Sequence, residues 1–119
     1  MSTGTDDCIF CRIARGEIPA RKLFEDDEIV AFHDIAPKAP VHFLIVPKQH
    51  VVNLYEVDES HERVLGRMLG MAGGLARGEG AGEGFRVVVN NGRLGGQEVY
   101  HLHIHVLGGN AALGSGMPR

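Results

Sequence analysis

The 119-residue chain has no long hydrophobic run, few cysteines and no excess of positive charge. No apolar segment approaches the ~18 residues of a transmembrane helix, so we expect no membrane span. Twelve Lys and Arg against fifteen Asp and Glu give a net charge of −3, which argues against a nucleic-acid partner. The first residues lack the pattern of a secretion signal, and two cysteines do not make a disulfide framework. We therefore expect a cytoplasmic protein.

Length and composition indicate a single domain over residues 1–119. Apolar residues make up 44% of the chain and charged residues 23%, which is typical of a globular protein and argues against a disordered one. The polar start and the glycine-rich end predict flexible termini at residues 1–6 and 110–119.

The apolar pattern predicts an α+β domain with a five-stranded, mainly antiparallel sheet, one long helix and one or two short helices. The long helix is expected over residues 58–77, where apolar residues recur every three or four positions and Asp58 or Ser60 caps the start. A short helix capped by Asp7 is expected over residues 8–15. The predicted strands cover residues 23–25, 29–32, 42–46, 85–90 and 99–107.

Three histidines alternate with apolar residues in the segment YHLHIHVLGG, residues 100–109. In a strand, side chains alternate between the faces, so His101, His103 and His105 would share one face, about 6.6 Å apart. Leu102 and Ile104 would then point into the core. Buried ring nitrogens need partners, which favours a metal site or a catalytic site over coincidence.

A glycine-rich loop, NGRLGGQ at residues 91–97, lies directly before the histidines. Glycines let backbone N–H groups approach an anion closely, so the loop is a candidate phosphate cradle. An imidazole beside a phosphate suggests nucleophilic catalysis: a neutral histidine attacks phosphorus, and water then resolves the phospho-histidine.

Cys8 and Cys11 form a C-x-x-C pair, which by itself is half of a zinc site. The same pair is compatible with a redox pair or with two buried thiols. Structural zinc binds four ligands, so two more are required, and His50 and His101 are the candidates.

Several segments of the chain resemble the histidine-triad, or HIT, superfamily. HLHIHVL matches its HφHφHφφ motif, where φ is apolar. CIFCRIARGEIPA, AFHDIAPKAPVHFLIVPKQH and VVNNGRLGGQEVYHLHIHVLGG are similar to its purine nucleoside phosphoramidase branch, and together the similarity spans roughly residues 7–109. The resemblance implies the HIT fold, a homodimer whose sheets join across the interface, and hydrolysis of the P–N bond of purine nucleoside 5′-phosphoramidates through a nucleotidyl-histidine.

The resemblance also implies roles for individual residues. His103 matches the family nucleophile, His105 the ring that contacts phosphate, and His42 a histidine near the leaving group; His101 completes the triad. The reaction implied for these catalytic residues requires no catalytic metal. The positions that match the nucleotide-binding residues of the family, besides His103 and His105, are Ile9, Ile18, Phe32, Asp34, Ile35, Asn90, Gly96, Gln97, Glu98 and Val99.

Two further implications concern metal and specificity. Cys8, Cys11, His50 and His101 match the ligands of a structural Zn²⁺ site in many bacterial HIT proteins. Glu98 stands where known members often carry Ser or Thr. Its carboxylate would repel the nucleotide, bind a cationic leaving group or remain a solvated charge at the loop edge, and strand parity turns it away from the triad.

Two other functions are compatible with the same sequence. One is a dinucleoside polyphosphate hydrolase of a related HIT branch, which would cleave diadenosine polyphosphates faster than AMP-amines. The other is a nucleotide-binding or protein-interaction module with incidental catalysis, for which His103→Ala would leave the cellular phenotype unchanged.

Overall fold

The computed structural model describes residues 8–109. Its five strands form one sheet in the order β1-β2-β3-β5-β4, and every neighbouring pair is antiparallel. This confirms the predicted sheet. The helices are α1 (Ile9–Ala14) and α2 (Glu62–Gly78), and the strands are β1 (Lys22–Glu25), β2 (Ile29–His33), β3 (Val41–Pro47), β4 (Phe85–Val88) and β5 (Ile104–Gly108).

Each face of the sheet packs against one helix, because side chains alternate along the strands. α2 covers one face, where Met68 and Ala72 belong to a buried cluster with apolar residues of β2, β3 and β5. α1 covers the other face, where Phe10 belongs to a second cluster with residues of β2 and β3. His105 pairs with Leu44, a member of that second cluster, so its ring lies on the α1 face.

The long helix is preceded by a 3-10 turn at Glu59–His61, so α2 itself begins at Glu62 rather than at residue 58. Asp58 caps this turn, because its carboxylate accepts a hydrogen bond of 2.9 Å from the Ser60 N–H. The predicted residue therefore caps the 3-10 turn, whereas α2 itself has His61 at its N-cap and no side-chain cap. None of the described helices is long and apolar enough to cross a membrane.

The short helix α1 begins one residue later than predicted. Cys8 occupies its N-cap, and the Cys8 Sγ accepts a hydrogen bond of 3.3 Å from the Cys11 N–H. Asp7, the predicted cap, and the predicted flexible ends at residues 1–6 and 110–119 lie outside the described residues.

The last strand is shorter than predicted, because β5 begins at Ile104 and not at residue 99. The preceding backbone turns away from the sheet, and the Leu102 N–H donates to the Val51 carbonyl at 2.6 Å. Of the three histidines, only His105 therefore lies within the strand. The strand alternation used to place the other two rings does not apply to them.

Candidate active site and metal centre

The three histidine rings lie on the α1 face of the sheet, although two of them precede β5. The ring of Phe10 from α1 packs edge-on against His103 and His101, with ring centroids 5.1 and 5.9 Å apart. His103 in turn packs against His105 at 4.8 Å. The three rings therefore share one face of the sheet, as predicted. Tertiary contacts hold His101 and His103 there, because these two residues precede β5.

The position of the proton on His103 is fixed by the backbone. Its Nδ1–H donates a hydrogen bond of 2.7 Å to the carbonyl of His101. The neutral ring therefore carries its lone pair on Nε2, which is the form that acts as a nucleophile. Burial lowers the pKa of His103, and the hydrogen bond to His101 and the charges of Asp34 and Glu98 oppose that effect.

His42 and His105 form a hydrogen-bonded pair with a defined direction. The Lys38 N–H donates to His42 Nδ1 at 3.0 Å, so the neutral His42 ring carries its proton on Nε2. His42 Nε2 lies 3.0 Å from His105 Nδ1, so His105 Nδ1 must accept the hydrogen bond that His42 Nε2–H donates. His105 therefore carries its own proton on Nε2, where it is available as a donor to a ligand.

Asp34 stands beside this pair. Its Oδ2 lies 3.4 Å from His42 Nε2, and its Oδ1 accepts the Ala36 N–H at 2.8 Å. We refer to Asp34, His42 and His105 as the Asp–His cluster; its candidate ligand atoms lie within 4.8 Å of one another.

Burial keeps both histidines of the Asp–His cluster neutral near pH 7. It lowers the pKa of His105 to about 4, and the neighbouring rings of His103 and His42 add to this effect. Burial also lowers the pKa of His42, while the carboxylate of Asp34 opposes the change and the charge of Lys38 adds to it.

The glycine-rich loop is held by one buried amide. The Gln97 Oε1 accepts hydrogen bonds from the Gly92 N–H and the Asn53 side chain, at 2.8 and 2.9 Å. Its Nε2 donates to the Val52 and Val99 carbonyls at 2.7 and 3.1 Å. The Gln97 side chain, predicted to bind nucleotide, thus fastens the loop instead of facing a ligand.

Two other loop residues predicted to bind nucleotide lie close to each other. The Asn90 Nδ2 donates to the Gly95 carbonyl at 2.9 Å, and Gly96 has φ +83°, a conformation that favours glycine. A Cβ at Gly95 would collide with the Asn91 carbonyl oxygen, so this tight turn requires glycine at that position. The loop conformation is therefore held by its own glycines and hydrogen bonds.

The apolar residues predicted to line a base pocket divide into two groups. Phe32 is buried, and Ile18 and Val99 pack partly buried against the cluster that contains Phe10. Ile9 is 43% exposed and Ile35 98% exposed. The structure therefore brings Phe32, Ile18 and Val99 towards the histidines. It leaves Ile9 and Ile35 exposed to solvent.

Four residues, here named the Cys–His cluster, offer candidate ligand atoms that lie within 4.8 Å of one another: Cys8, Cys11, His50 and His101. The Cys8 Sγ lies 3.2 Å from His101 Nδ1, and the Cys11 Sγ lies 3.3 Å from His50 Nδ1 and 3.5 Å from His101 Nδ1. His101 Nε2–H donates to the Pro47 carbonyl at 2.7 Å, which leaves the Nδ1 lone pair facing the sulfur atoms.

Three of the four residues of the Cys–His cluster are buried, and burial opposes charge on Cys11 and His101. It lowers the pKa of His101 to about 4, so that the ring is neutral and able to act as a ligand. It raises the pKa of the Cys11 thiol to about 12, with a further contribution from Cys8. The Cys11 thiol is therefore protonated near pH 7 and would lose its proton when a metal cation replaces it.

The sequence reasoning missed two residues of this region. Phe10 packs against His101 of the Cys–His cluster and against His103, and its place between Cys8 and Cys11 in CIFC was the available signal. Lys38 sets the tautomer of His42 through its backbone N–H, a contact with no sequence signal because any residue except proline supplies that donor.

Comparisons with known proteins agree with this fold and site. The model of the HIT domain family matches residues 15–112. The chain is 50% identical over 107 residues to an uncharacterised HIT-like protein of Synechococcus elongatus, covering 90% of this chain and 94% of that protein.

Solved structures give the same result. A HIT family hydrolase from Legionella pneumophila superimposes with a TM-score of 0.85 at 49% identity, covering 88% of this chain and 95% of that one. A HIT family hydrolase from Clostridium thermocellum gives a TM-score of 0.90 at 39% identity, covering 95% and 98%. The chain therefore belongs to the HIT family, as its histidine motif predicts.

Proposed function

We propose that the protein hydrolyses the P–N bond of purine nucleoside 5′-phosphoramidates through a nucleotidyl-histidine. The observation that carries this proposal is the hydrogen bond from His103 Nδ1–H to the His101 carbonyl, which leaves Nε2 free to attack phosphorus. Membership of the HIT family, whose relatives in Legionella and Clostridium are described as hydrolases, supports a hydrolytic reaction.

In the first step, His103 Nε2 attacks the α-phosphorus and the P–N bond breaks. The nitrogen leaves as the free amine after taking up one proton from solvent. In the second step, water attacks phosphorus and the bond between phosphorus and His103 Nε2 breaks. The products are the nucleoside monophosphate, the neutral His103 ring and one proton, which passes to solvent. Both steps pass through added negative charge on the phosphate oxygens.

The neighbouring groups are suited to that charge. His105 carries its proton on Nε2 and donates it as a hydrogen bond to phosphate, while His42 holds the His105 ring through Nδ1. Within the loop, the Gly96 and Gln97 N–H groups already donate to the Arg93 and Gly92 carbonyls at 3.1 and 3.0 Å, so the further donors proposed from residues 96–99 are the N–H groups of Glu98 and Val99. The Asp34 carboxylate is suited to ribose hydroxyls, and the apolar cluster around Phe32 to a purine ring.

The test is steady-state hydrolysis of a fluorogenic adenosine 5′-phosphoramidate by the wild type, by His103→Ala and by the control His33→Ala. His33 is a partly exposed histidine whose Nε2 lies 3.4 Å from Glu79. We expect kcat to fall at least about a thousand-fold in His103→Ala and little in His33→Ala. Mass spectrometry of the acid-quenched wild type should show one nucleotidyl adduct on His103.

Diadenosine polyphosphates serve as the competing substrates. If the folded wild type cleaves them and leaves the phosphoramidate intact, the substrate class proposed here is wrong. If it cleaves neither but binds AMP, the protein is a nucleotide-binding module.

We also propose that the Cys–His cluster binds one structural Zn²⁺. A tetrahedral zinc ion with Zn–S of about 2.3 Å and Zn–N of about 2.05 Å holds sulfur and nitrogen about 3.6 Å apart. The three S···N distances of 3.2, 3.3 and 3.5 Å are close to that value. When bound, the ion would cross-link α1 to the sheet. With four protein ligands, it would have no open coordination position for catalysis.

We further propose a homodimer in which β4 pairs with β4 of a second copy. β4 is an edge strand, and its residues Phe85 and Val87, on the face of the sheet that α2 covers, are 41% and 36% exposed. Leu69 of α2 is 56% exposed on an element that packs beside this strand. Light scattering should give twice the chain mass, and Val87→Lys should shift the mass to that of one chain if β4 forms the interface.

A further inference from the structure

The Gln97 side chain is a buried amide that uses its whole hydrogen-bonding capacity within the protein. Its oxygen accepts from the Gly92 N–H and from the Asn53 Nδ2, at 2.8 and 2.9 Å. Its nitrogen donates to the Val52 and Val99 carbonyls, at 2.7 and 3.1 Å. A side-chain amide has two N–H donors and two acceptor lone pairs, so all four are occupied. A role for this side chain must therefore be exerted through the backbone that it holds.

The bonds of Gln97 join the glycine-rich loop to one short segment, residues 51–53. Gly92 is joined to Gln97 twice, because the Gln97 N–H also donates to the Gly92 carbonyl at 3.0 Å. On the other side of the amide, the bond to Val99 holds the chain after Glu98. Glu98 is exposed and lies outside β5, so the strand alternation that turned it away from the triad does not apply. Gln97 therefore ties the backbone on both sides of Glu98 to residues 51–53.

The same segment also holds the turn that carries the proposed nucleophile. The Leu102 N–H donates to the Val51 carbonyl at 2.6 Å, and Leu102 directly precedes His103. The bond to this turn and the bond from Gln97 thus lie on the consecutive carbonyls of Val51 and Val52. The position of the loop relative to His103 is set through these two bonds, and Gln97 supplies one of them.

We propose that Gln97 is a positioning residue that aligns the backbone N–H groups of Glu98 and Val99 with His103. This inference rests on the proposed function, in which those N–H groups donate to the phosphate that His103 attacks. Their alignment matters most where negative charge develops on the phosphate, so the effect falls on kcat. The resemblance instead assigns Gln97 to nucleotide binding, and the two roles predict different kinetics.

The first experiment removes the four hydrogen bonds and nearly preserves the size of the side chain. Hydrolysis of the fluorogenic adenosine 5′-phosphoramidate is measured for the wild type, Gln97→Leu and the control Met68→Ala, each shown to be folded by circular dichroism. Met68 is buried on the face that α2 covers, so Met68→Ala lowers stability through a cavity remote from the histidines. We expect kcat to fall about a hundred-fold in Gln97→Leu and KM to change less than about three-fold, whereas Met68→Ala keeps the wild-type kcat.

The second experiment restores a hydrogen bond by lowering the pH. In Gln97→Glu the ionised carboxylate faces the Val52 and Val99 carbonyls and repels them, whereas the protonated acid donates to one of them. Burial raises the pKa of the introduced carboxyl, and so do the negative charges of Glu98, adjacent in the chain, and of Glu56, which accepts the Val52 N–H at 3.2 Å. Protonation is therefore expected at mildly acidic pH.

The readout is kcat of each variant divided by kcat of the wild type at the same pH, which removes the titrations that both proteins share. For Gln97→Glu this ratio should rise at least about ten-fold between pH 8 and pH 5.5. For Gln97→Leu, which has no group to titrate at this position, the ratio should stay constant.

Other results would overturn the proposal. A higher KM in Gln97→Leu with an unchanged kcat would show that Gln97 binds the nucleotide, as the resemblance implies. Equal kcat values in Gln97→Leu and Met68→Ala, or a constant ratio for Gln97→Glu, would show that these hydrogen bonds serve stability alone. If the wild type leaves the phosphoramidate intact and forms no nucleotidyl-histidine, the proposed function fails and this inference fails with it.

Discussion

The Cys–His cluster and the Asp–His cluster lie on the same face of the sheet, and in both the candidate metal ligands lie within 4.8 Å of one another. Distance does not distinguish them. His42 Nε2 lies 3.0 Å from His105 Nδ1 and 3.4 Å from Asp34 Oδ2, separations that also suit a tetrahedral metal ion.

The two clusters differ in where the histidine protons lie. In the Cys–His cluster, a hydrogen bond to the Pro47 carbonyl places the His101 proton on Nε2, and the Nδ1 lone pair faces the thiols. In the Asp–His cluster, the Lys38 N–H occupies His42 Nδ1, so the His42 proton lies on Nε2, where a metal ion would have to bind. The Pro47 carbonyl therefore prepares the Cys–His cluster to bind a metal ion. The Lys38 N–H prepares the Asp–His cluster for hydrogen bonding instead.

Among the changes that test this difference between the clusters, the largest effect is expected from the loss of metal in Cys11→Ser. We expect the wild type to bind one Zn²⁺ per chain and the variant to lose zinc affinity by at least about a hundred-fold, because a hydroxyl is a poor zinc ligand. Zinc is measured by atomic emission after dialysis, with Asp34→Asn as the control from the other cluster. A full zinc content in Cys11→Ser, or two zinc ions in the wild type, would contradict the distinction between the clusters.

A smaller effect is expected when the backbone donor to His42 is removed. Lys38→Pro deletes the N–H and lets the His42 proton move to Nδ1, which frees Nε2 for a cation. We expect kcat to fall about ten-fold and a second zinc ion to bind weakly. Lys38→Ala, which keeps the N–H, is the matched control and should bind one zinc ion. Equal zinc contents in the two variants would show that the tautomer does not decide metal binding.

The smallest effect concerns pH. The pKa of His105 is about 4 in the folded protein and about 6.5 in the unfolded chain, so below pH 6.5 the unfolded chain binds a proton that the folded protein does not. Stability is therefore full near pH 7 and falls as the pH drops towards 4. We expect His105 to contribute about 1 kcal/mol of this loss between pH 7 and 5, after a discount for partial exposure.

Urea unfolding at both pH values measures the contribution, with His105→Gln as the comparison because it removes the titrating ring. The loss of stability on acidification should be smaller in His105→Gln than in the wild type. An identical loss in the two proteins would mean that the His105 ring is not neutral in the folded state.

Much of the fold was predictable because it depends on local patterns. The five strands and the long helix follow from apolar periodicity. The cap at Asp58 follows because aspartate is one of the residues preferred at a helix N-cap. The start of β5 was not predictable in this way. Residues 99–103 have the apolar alternation of a strand, yet Leu102 donates its N–H to Val51 and not to the sheet.

The sequence by itself determined which residue types are present and which are neighbours along the chain: the C-x-x-C pair, the alternating histidines, the glycine loop and the family to which they belong. Only the tertiary structure decided how these groups divide into sites. It packed Phe10 against His101 and His103, turned Gln97 inwards and ended the strand so that only His105 of the three histidines lies in β5. The reason is physical: the position of a proton on a histidine ring depends on which backbone group reaches it, and that group comes from distant parts of the chain.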